Sequence, residues 1–512
     1  MPATGQASEV QFIWEPADRA SATATLVQQL SLHRDSKRRR RLTYLDTFDW
    51  RVHRAGFLLT RSDDGFELVD RHTGALVGKA PGAEDGGLPP AFSDRLASAV
   101  APRALMAVAA VASTEVLLSA RNGEDKTVAK VRLSESQVDR DGAPVRLAPR
   151  LSVQPLRGYD RQAARLTEQL AELPGVEPAA GSLFAEAVAV GGRHPGDYTG
   201  KLALHLSRDE SNYDAARLIY RTLLTTMRRN EHGVLDDIDS EFLHDYRVAV
   251  RRIRSALKEL PGALPEAYEQ RLREEFRWLG QVTTPTRDLD VYLLEFPAFR
   301  ALVGDAADDL EPLRRVIAAG QRRAHTEQRK ALRSARYRKL VDGLAAAVDA
   351  HAPVVGSGPA GNAPIGRTAD TRIAKVASRV LREGRAIDDS SAPERLHDLR
   401  KRCKELRYLL EFFASLYDPR QHGALVSALK GLQDNLGQFQ DTQVQRQAME
   451  GFADRLLISG DTSAAALLAV GRLMASFDDR EQSARAEFAQ RFASFASDSN
   501  RRRLQRLTEA SP

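Results

Sequence analysis

One pattern of charged and apolar residues occurs twice in this chain, 153 residues apart. The first copy reads His244-Asp245-Tyr246-Arg247, then Arg251, Arg254 and Leu257; the second reads His397-Asp398-Leu399-Arg400, then Lys404, Arg407 and Leu410. Asp288 and Asp441 keep the same offset, each 44 residues after its own His. Leu279-Gly280-Gln281 has a counterpart in Leu436-Gly437-Gln438, at an offset of 157. A sequence repeated in this way is expected to fold the same way twice.

The residues around both copies show which fold that is. Beyond Lys201 the apolar residues recur at the 3.6-residue period of helices, in segments at 208–230, 239–260, 265–282, 287–303, 308–350, 369–386, 392–416, 422–457, 462–478 and 480–508. Pro261-Gly262, Pro285 and Pro297 are expected to break them, and the loop from His351 to Arg367 separates the copies. The expectation is an all-α domain over 206–508, made of two duplicated four-helix bundles at about 206–350 and 369–508.

Residues 7–172 read differently. Candidate strands are Glu9–Trp14, Arg39–Asp46, Gly56–Arg61, Gly65–Asp70, Ala75–Lys79, Val108–Ala120, Thr127–Val138 and Val145–Leu156, with turn signals such as Arg121-Asn122-Gly123 between them. Helices are expected near Asp18–Leu30, Ser93–Val100 and 159–172. The fold class is therefore α+β: an N-terminal antiparallel eight-stranded barrel or tunnel, a small-residue linker over 173–205, then the helical domain.

Placed on a helical wheel at about 100° per residue, His244, Arg247, Arg251, Arg254 and Lys258 form one stripe beside an apolar arc of Leu243, Val250, Ile253, Leu257 and Leu260. His397, Arg400, Lys404 and Arg407 form the second stripe, beside Leu399, Cys403, Leu406, Leu410 and Phe413. Like charges at i,i+3 and i,i+4 destabilise an isolated helix. Doing so twice at one spacing points to an anionic partner, and arginine forks suit phosphate oxygens. The bland alternative is a solvated face partnered by Glu259, Glu405 and Glu411. Further stripes, Arg329 with Arg333 and Arg372, Lys375 with Arg379, are candidates to widen the groove.

Charge arithmetic agrees on location. Lys plus Arg is 75 and Asp plus Glu is 69; residues 1–200 hold 25 of each, so the excess of six lies wholly in 201–512. No apolar run approaches the roughly 18 residues of a membrane span. No basic-then-apolar leader opens the sequence, and Cys403 is the only cysteine. The chain reads as soluble and cytoplasmic, with no membrane partner. Asp288 and Asp290 are read as serving a helix start, and Cys403 as core. The run Lys37–Arg41 is the densest basic segment, though in a strand only alternate residues share a face.

The same residues carry a family resemblance. His244-Asp-Tyr-Arg-Val-Ala-Val-Arg-Arg-Ile-Arg254, Lys404-Glu-Leu-Arg-Tyr-Leu-Leu-Glu-Phe-Phe413, Phe276-Arg-Trp-Leu-Gly280 with Arg287-Asp-Leu-Asp-Val291, and Leu432-Gln-Asp-Asn-Leu-Gly437 with Asp441 resemble the CHAD domain, the conserved-histidine α-helical domain. The resemblance spans about 209–505. It implies two bundles about a pseudo-twofold, a basic groove that binds inorganic polyphosphate without catalysis, and a location on polyphosphate granules. Tyr44-Leu-Asp-Thr47, Leu58-Leu-Thr-Arg61 and Pro155-Leu-Arg-Gly-Tyr159 resemble the CYTH domain, the triphosphate tunnel fold. Active members open with Glu-x-Glu-x-Lys and hold a divalent metal. Here Glu9 is followed by Gln11 and Ile13, and Leu59 stands where a basic residue is usual, so hydrolysis is not expected. No cofactor is expected, with Mg or Mn entering only if the tunnel were active. The competing readings are a metal-dependent tripolyphosphatase and a nucleic-acid binder; against the latter, aromatics make up only 6% of the chain.

Overall fold

The computed structural model describes residues 10–509, except 17, 20, 83–86, 141, 261, 263, 350–358 and 461. The chain separates into two compact units, Met1–Thr199 and Gly200–Pro512.

The first unit runs β1 (Val10–Trp14), α1 (Ala22–Gln29), β2 (His33–Asp46), α2 (Arg51–Arg54), β3 (Phe57–Ser62), β4 (Gly65–Asp70), β5 (Leu76–Ala80), α3 (Ser93–Val100), β6 (Met106–Arg121), β7 (Thr127–Arg140), β8 (Ala143–Arg146), β9 (Arg150–Pro155), α4 (Asp160–Ala171), β10 (Val176–Pro178) and α5 (Leu183–Val190). One antiparallel sheet of ten strands follows the order β10-β1-β9-β7-β6-β2-β3-β4-β5, with β8 on β7. The expected count was eight. The segment Val145–Leu156 splits at Leu147-Ala148-Pro149, where a proline without an N–H interrupts the ladder, and β10 adds a short edge.

Residues 173–199, expected as linker, are part of this unit. Phe184, Ala187 and Val188 of α5 are buried with Tyr44, Trp50, Val111 and Val138 on one face of the sheet. On the other face, Leu26 of α1 and Leu166 and Leu170 of α4 bury Val116, Leu118, Val131, Leu133, Leu151 and Val153.

The second unit holds α6 (Asn212–Leu235), α7 (Ser240–Glu259), α8 (Glu266–Val303), α9 (Glu311–Leu332), α10 (Ala335–Asp349), α11 (Ile365–Arg385), α12 (Pro393–Phe412), α13 (Pro419–Ser459), α14 (Ala464–Phe495) and α15 (Asp498–Glu509). Four helices of the later half start 153 residues after four of the earlier: Ile365 after Asn212, Pro393 after Ser240, Pro419 after Glu266 and Ala464 after Glu311. The halves are not separate bodies. Tyr292, Phe296 and Phe299 of α8, Ile317 of α9, Met449 and Phe452 of α13 and Leu473 and Phe477 of α14 share one core.

Pro285 and Pro297 do not break the chain; both lie inside the 38 residues of α8. In the turn before Pro285, side chains add hydrogen bonds to the helix backbone. Thr283 Oγ1 donates to the Leu279 carbonyl at 3.0 Å and Thr284 Oγ1 to Gly280 at 2.8 Å. The single helix expected at 308–350 ends at Leu332, and α14 runs through the gap expected at 479.

Candidate functional site

The repeated motif forms α7 and α12, each with its apolar arc inward. Asp239 caps α7 by accepting from the Glu241 and Phe242 amides at 2.9 and 3.2 Å, and α12 starts on Pro393, whose missing N–H costs nothing there. Leu243, Tyr246, Val250, Ile253 and Leu257 are buried on one helix; Leu399, Cys403, Leu406 and Leu410 are buried on the other. Burial pushes the Cys403 thiol up to about 12, as befits a core residue.

The two helices meet through ion pairs that the 153-residue offset exchanges. Arg252 bonds Glu411 at 2.8 Å, and Lys258 bonds Glu405 at 2.8 Å. Adding 153 to 252 gives 405, and adding it to 258 gives 411, so each pair maps onto the other. The acids that sequence reasoning set against the basic stripes therefore have assigned partners. Glu411 also takes Arg407 at 2.8 Å, and Glu259 lies 3.3 Å from Lys258. Beside Glu405, burial raises the Glu259 carboxyl.

The remaining cations lie toward the middle of the seam. Arg247 Nη1 donates to the Gly280 carbonyl at 3.1 Å, Thr283 Oγ1 at 2.8 Å and Thr284 Oγ1 at 3.1 Å, so it ties α7 to α8. Burial, then Arg251, pulls it down to about 10; Arg287 and Arg254 act in the same direction, and Asp288 opposes. Arg400 bonds Asp441 at 2.9 Å. Lys404 is pulled down to about 8 by burial, Arg400 and Arg251, with Asp441 opposing. Residue 251 plus 153 is 404, so the two equivalent cations of the repeat face each other. Arg254, lowered by burial, also feels Arg277. Among the described residues, Arg251, Arg254, Arg277 and Lys404 form no ion pair.

Each repeated histidine is held at Nδ1 by the residue 43 positions on. Arg287 Nη2 donates to His244 Nδ1 at 3.1 Å, and since a guanidinium only donates, that nitrogen is the acceptor. His397 Nδ1 pairs with Gln440 Oε1. Arg287 also reaches the Ser240 carbonyl at 3.0 Å. It braces α7 from the middle of α8, not from a helix start as expected. Asp290, expected to serve that start, is buried and accepts from Gln321 at 3.1 Å; burial first, and Asp237 nearby, push it up to about 6.

The Leu-Gly-Gln match at 157 is not a structural equivalence. Arg254 lies over Gly280, whereas its counterpart Arg407 meets Gln433, 153 residues on. The offset stays 153, and the sequence match is one helical turn out of step. Of the outlying candidates, Arg329 lies 3.8 Å from Asp236. Neither it nor Arg333, Arg372, Lys375 or Arg379 figures among the main charges acting on Arg247, Arg254, Arg287 or Lys404. Sequence reasoning missed Arg277 and Arg287. Arg277 carried a signal, since Lys430 stands 153 residues after it.

In the first unit, strand register sorts the charges. Arg38, Arg40 and Tyr44 of β2 lie opposite Glu115, Ser113 and Ala109 of β6, and these continue to Ser134 and Ser136 on β7 and Arg150 on β9. This polar face is internally neutralised. Glu115 takes Arg38 at 2.7 Å, Glu67 takes Arg40 at 2.7 Å and Lys79 at 2.6 Å, and Glu186 takes Arg150 at 2.5 Å. Gln11 accepts from Arg150 at 3.1 Å, and Ile13 lies opposite Arg150. Glu9 lies outside the described residues. Leu59 is not on this face; it is buried with Leu45 and Phe66. Glu67, Glu115 and Glu186 are each held by a cation, and the described residues contain no cluster of three or more metal-ligand side chains.

Comparison with known proteins places this architecture. Residues 219–450 match the family model described as CHAD domain, and that stretch is a CHAD domain. Two uncharacterized proteins of Mycobacterium tuberculosis are each 30% identical over 213 residues, covering 40% of this chain and 39% of theirs. The chain thus spans about two-fifths of the length of the curated relatives it matches. The crystal structure of the CHAD domain from the plant Ricinus communis is 27% identical, covers 58% of this chain and 95% of its own, and superposes with a TM-score of 0.49. A putative adenylate cyclase from Bacillus halodurans covers 36% of this chain and 98% of its own at 11% identity and a TM-score of 0.24.

Proposed function

We propose that the chain binds inorganic polyphosphate without catalysis, along the seam of α7 and α12. The observation that carries this reading is the set Arg251, Arg254, Arg277 and Lys404. Among the described residues these cations form no ion pair, while their neighbours Arg252, Lys258 and Arg407 are all paired. A fold that spends three acids on the flanking cations and ties Asp441 to Arg400 leaves these four cations for an anion. On this reading the helices arose as two duplicated four-helix bundles, which accounts for the offset of 153 and the exchanged ion pairs. Arg247, Arg287 and Arg400 position the seam, and Arg251, Arg254, Arg277 and Lys404 touch phosphate. The protein acts in the cytoplasm, on polyphosphate granules. No helix among the described residues is long and apolar enough to cross a membrane.

The test is retention on long-chain polyphosphate against duplex DNA, with phosphate release from tripolyphosphate plus magnesium or manganese measured in parallel. Retention by polyphosphate alone, lost with rising salt, supports the reading. Equal retention by DNA, or turnover, overturns it.

A further inference from the structure

The run Lys37–Arg41 is not one basic surface. β2 pairs with β6 without a shift from Lys37 to Tyr44, so successive side chains point to opposite faces of the sheet. Arg38 and Arg40 fall on the internally neutralised face. Arg39 and Arg41 fall on the other, together with Thr114 and Ala112 of β6 and Glu135 and Gln137 of β7. Arg146 of β8 stands opposite Gln137 and joins the same row.

These residues, with Arg19 from the segment after β1, line a groove of about 640 Å³. It lies on the face that α1 and α4 cover farther along, at Val116 and Leu118. Arg19, Arg39, Arg41 and Arg146 are exposed and form no ion pair among the described residues. Among the described lining residues Glu135 is the one carboxylate; of the five lining guanidiniums Arg40 is paired with Glu67, and the other four less Glu135 leave a local excess of three.

The spacing selects the ligand. Arg39 and Arg41 are two residues apart on one strand, about 7 Å at roughly 3.4 Å per residue. From Arg41 across β6 and β7 to Arg146 is three interstrand steps, about 14 Å in all. Guanidiniums anchored over that span suit an extended chain of phosphates better than a single phosphate. No aromatic side chain lines the groove, so nothing there stacks a base, which disfavours nucleic acid.

We propose that this groove is a second anion-binding site, separate from the helical seam, and that it takes a linear condensed-phosphate chain. The site does not depend on the helical reading, because its residues all belong to the first unit.

The experiment uses the full chain and polyphosphate of defined length. One variant carries Arg251→Glu with Lys404→Glu, a second carries Arg39→Glu with Arg41→Glu, and a third carries all four. The seam variant is expected to keep a weaker, salt-sensitive binding, and adding the groove reversals should lower that remainder on the order of tenfold or more. Since Arg39 and Arg41 are exposed, the fold should be unchanged by circular dichroism; Arg39→Gln with Arg41→Gln serves if it is not. If the seam variant has no residual binding, or the groove reversals leave it unaltered, the proposal is overturned. It is equally overturned if duplex or single-stranded DNA of matched charge binds the groove more tightly than polyphosphate. If the seam reversals change nothing and the groove reversals abolish binding, the groove stands and the helical reading falls.

Discussion

Replacing Lys404 with methionine should make the protein more stable and a poorer ligand for polyphosphate. The ammonium is held down to about 8 by burial, Arg400 and Arg251, against an ordinary 10.5. At pH 7 it is charged in both folded and unfolded chains. Keeping it charged in the fold therefore costs up to roughly 3 kcal/mol, at about 1.4 kcal/mol per pK unit. Methionine preserves the unbranched stem and removes the charge, so the expected gain is about 1–3 kcal/mol after partial exposure is allowed for. The sign follows from proton counts. Between pH 8 and 10.5 the unfolded chain holds this proton more tightly than the folded one. Wild type thus gains stability as pH rises through that window, and the variant does not. The difference between them should be full at pH 7 and vanish by about pH 10.5, other groups cancelling. Urea denaturation of both chains at pH 7, 9 and 10.5 measures it. A variant less stable at pH 7, or a gap that does not change with pH, would refute the claim that this charge is held against its own repulsion.

Polyphosphate should bind less tightly as pH rises from 7.5 to 9.5, because the ligand must re-protonate Lys404; titration calorimetry with Lys404→Arg should lose that dependence. Arg247→Ala removes three hydrogen bonds to α8 and should cost about 2–4 kcal/mol by chemical denaturation, more than any destabilisation read at the exposed Arg251. Wild type should release no phosphate from tripolyphosphate with magnesium or manganese above a heat-killed control, and Gln11→Glu with Ile13→Lys should not start turnover. Arg251→Glu or Lys404→Glu alone should weaken binding but form an ion pair across the seam, whereas the double reversal should weaken it far more and restore repulsion. The salt slope should fall by roughly one for each phosphate the variant no longer touches, and an unchanged slope in the double variant would place the ligand elsewhere.

Helical periodicity and the repeated His-Asp-x-Arg located the seam because both are local patterns. The apolar arcs of α7 and α12 are buried residue for residue as the wheel orders them. What the wheel cannot show is which helix faces which. The pairing of Arg252 with Glu411, and the meeting of Arg251 with Lys404, exist only once α7 packs on α12. Asp290 was misassigned, and Arg287 missed, for a related reason. Pro285 suggested a new helix beginning there, and a capping role for the residues that follow. The structure instead carries α8 through the proline, with Thr283, Thr284 and Arg247 bonding the Leu279 and Gly280 carbonyls of the turn before it. In the first unit, alternation predicted that the arginine run would divide. Only the register with β6 tells that Arg38 and Arg40 meet carboxylates while Arg39 and Arg41 do not.

The placement of charge along the seam follows from the repeat itself. When one motif is used twice and the copies face each other, a residue away from the axis meets a different residue of the other copy. Opposite charges can then be chosen for the two positions, as in Arg252 with Glu411 and Lys258 with Glu405. A residue near the axis meets its own counterpart, so if one is basic in both copies, like charge must face like charge. Lys404 feels the charge of Arg251, its own counterpart. An acid at either position would relieve the repulsion, and both positions are basic. On the proposed reading, this repulsion lies where a linear anion across the seam would touch both copies at once. Such an anion offsets a cost that the protein bears alone in its absence, and that difference between the free and the bound seam is the source of affinity.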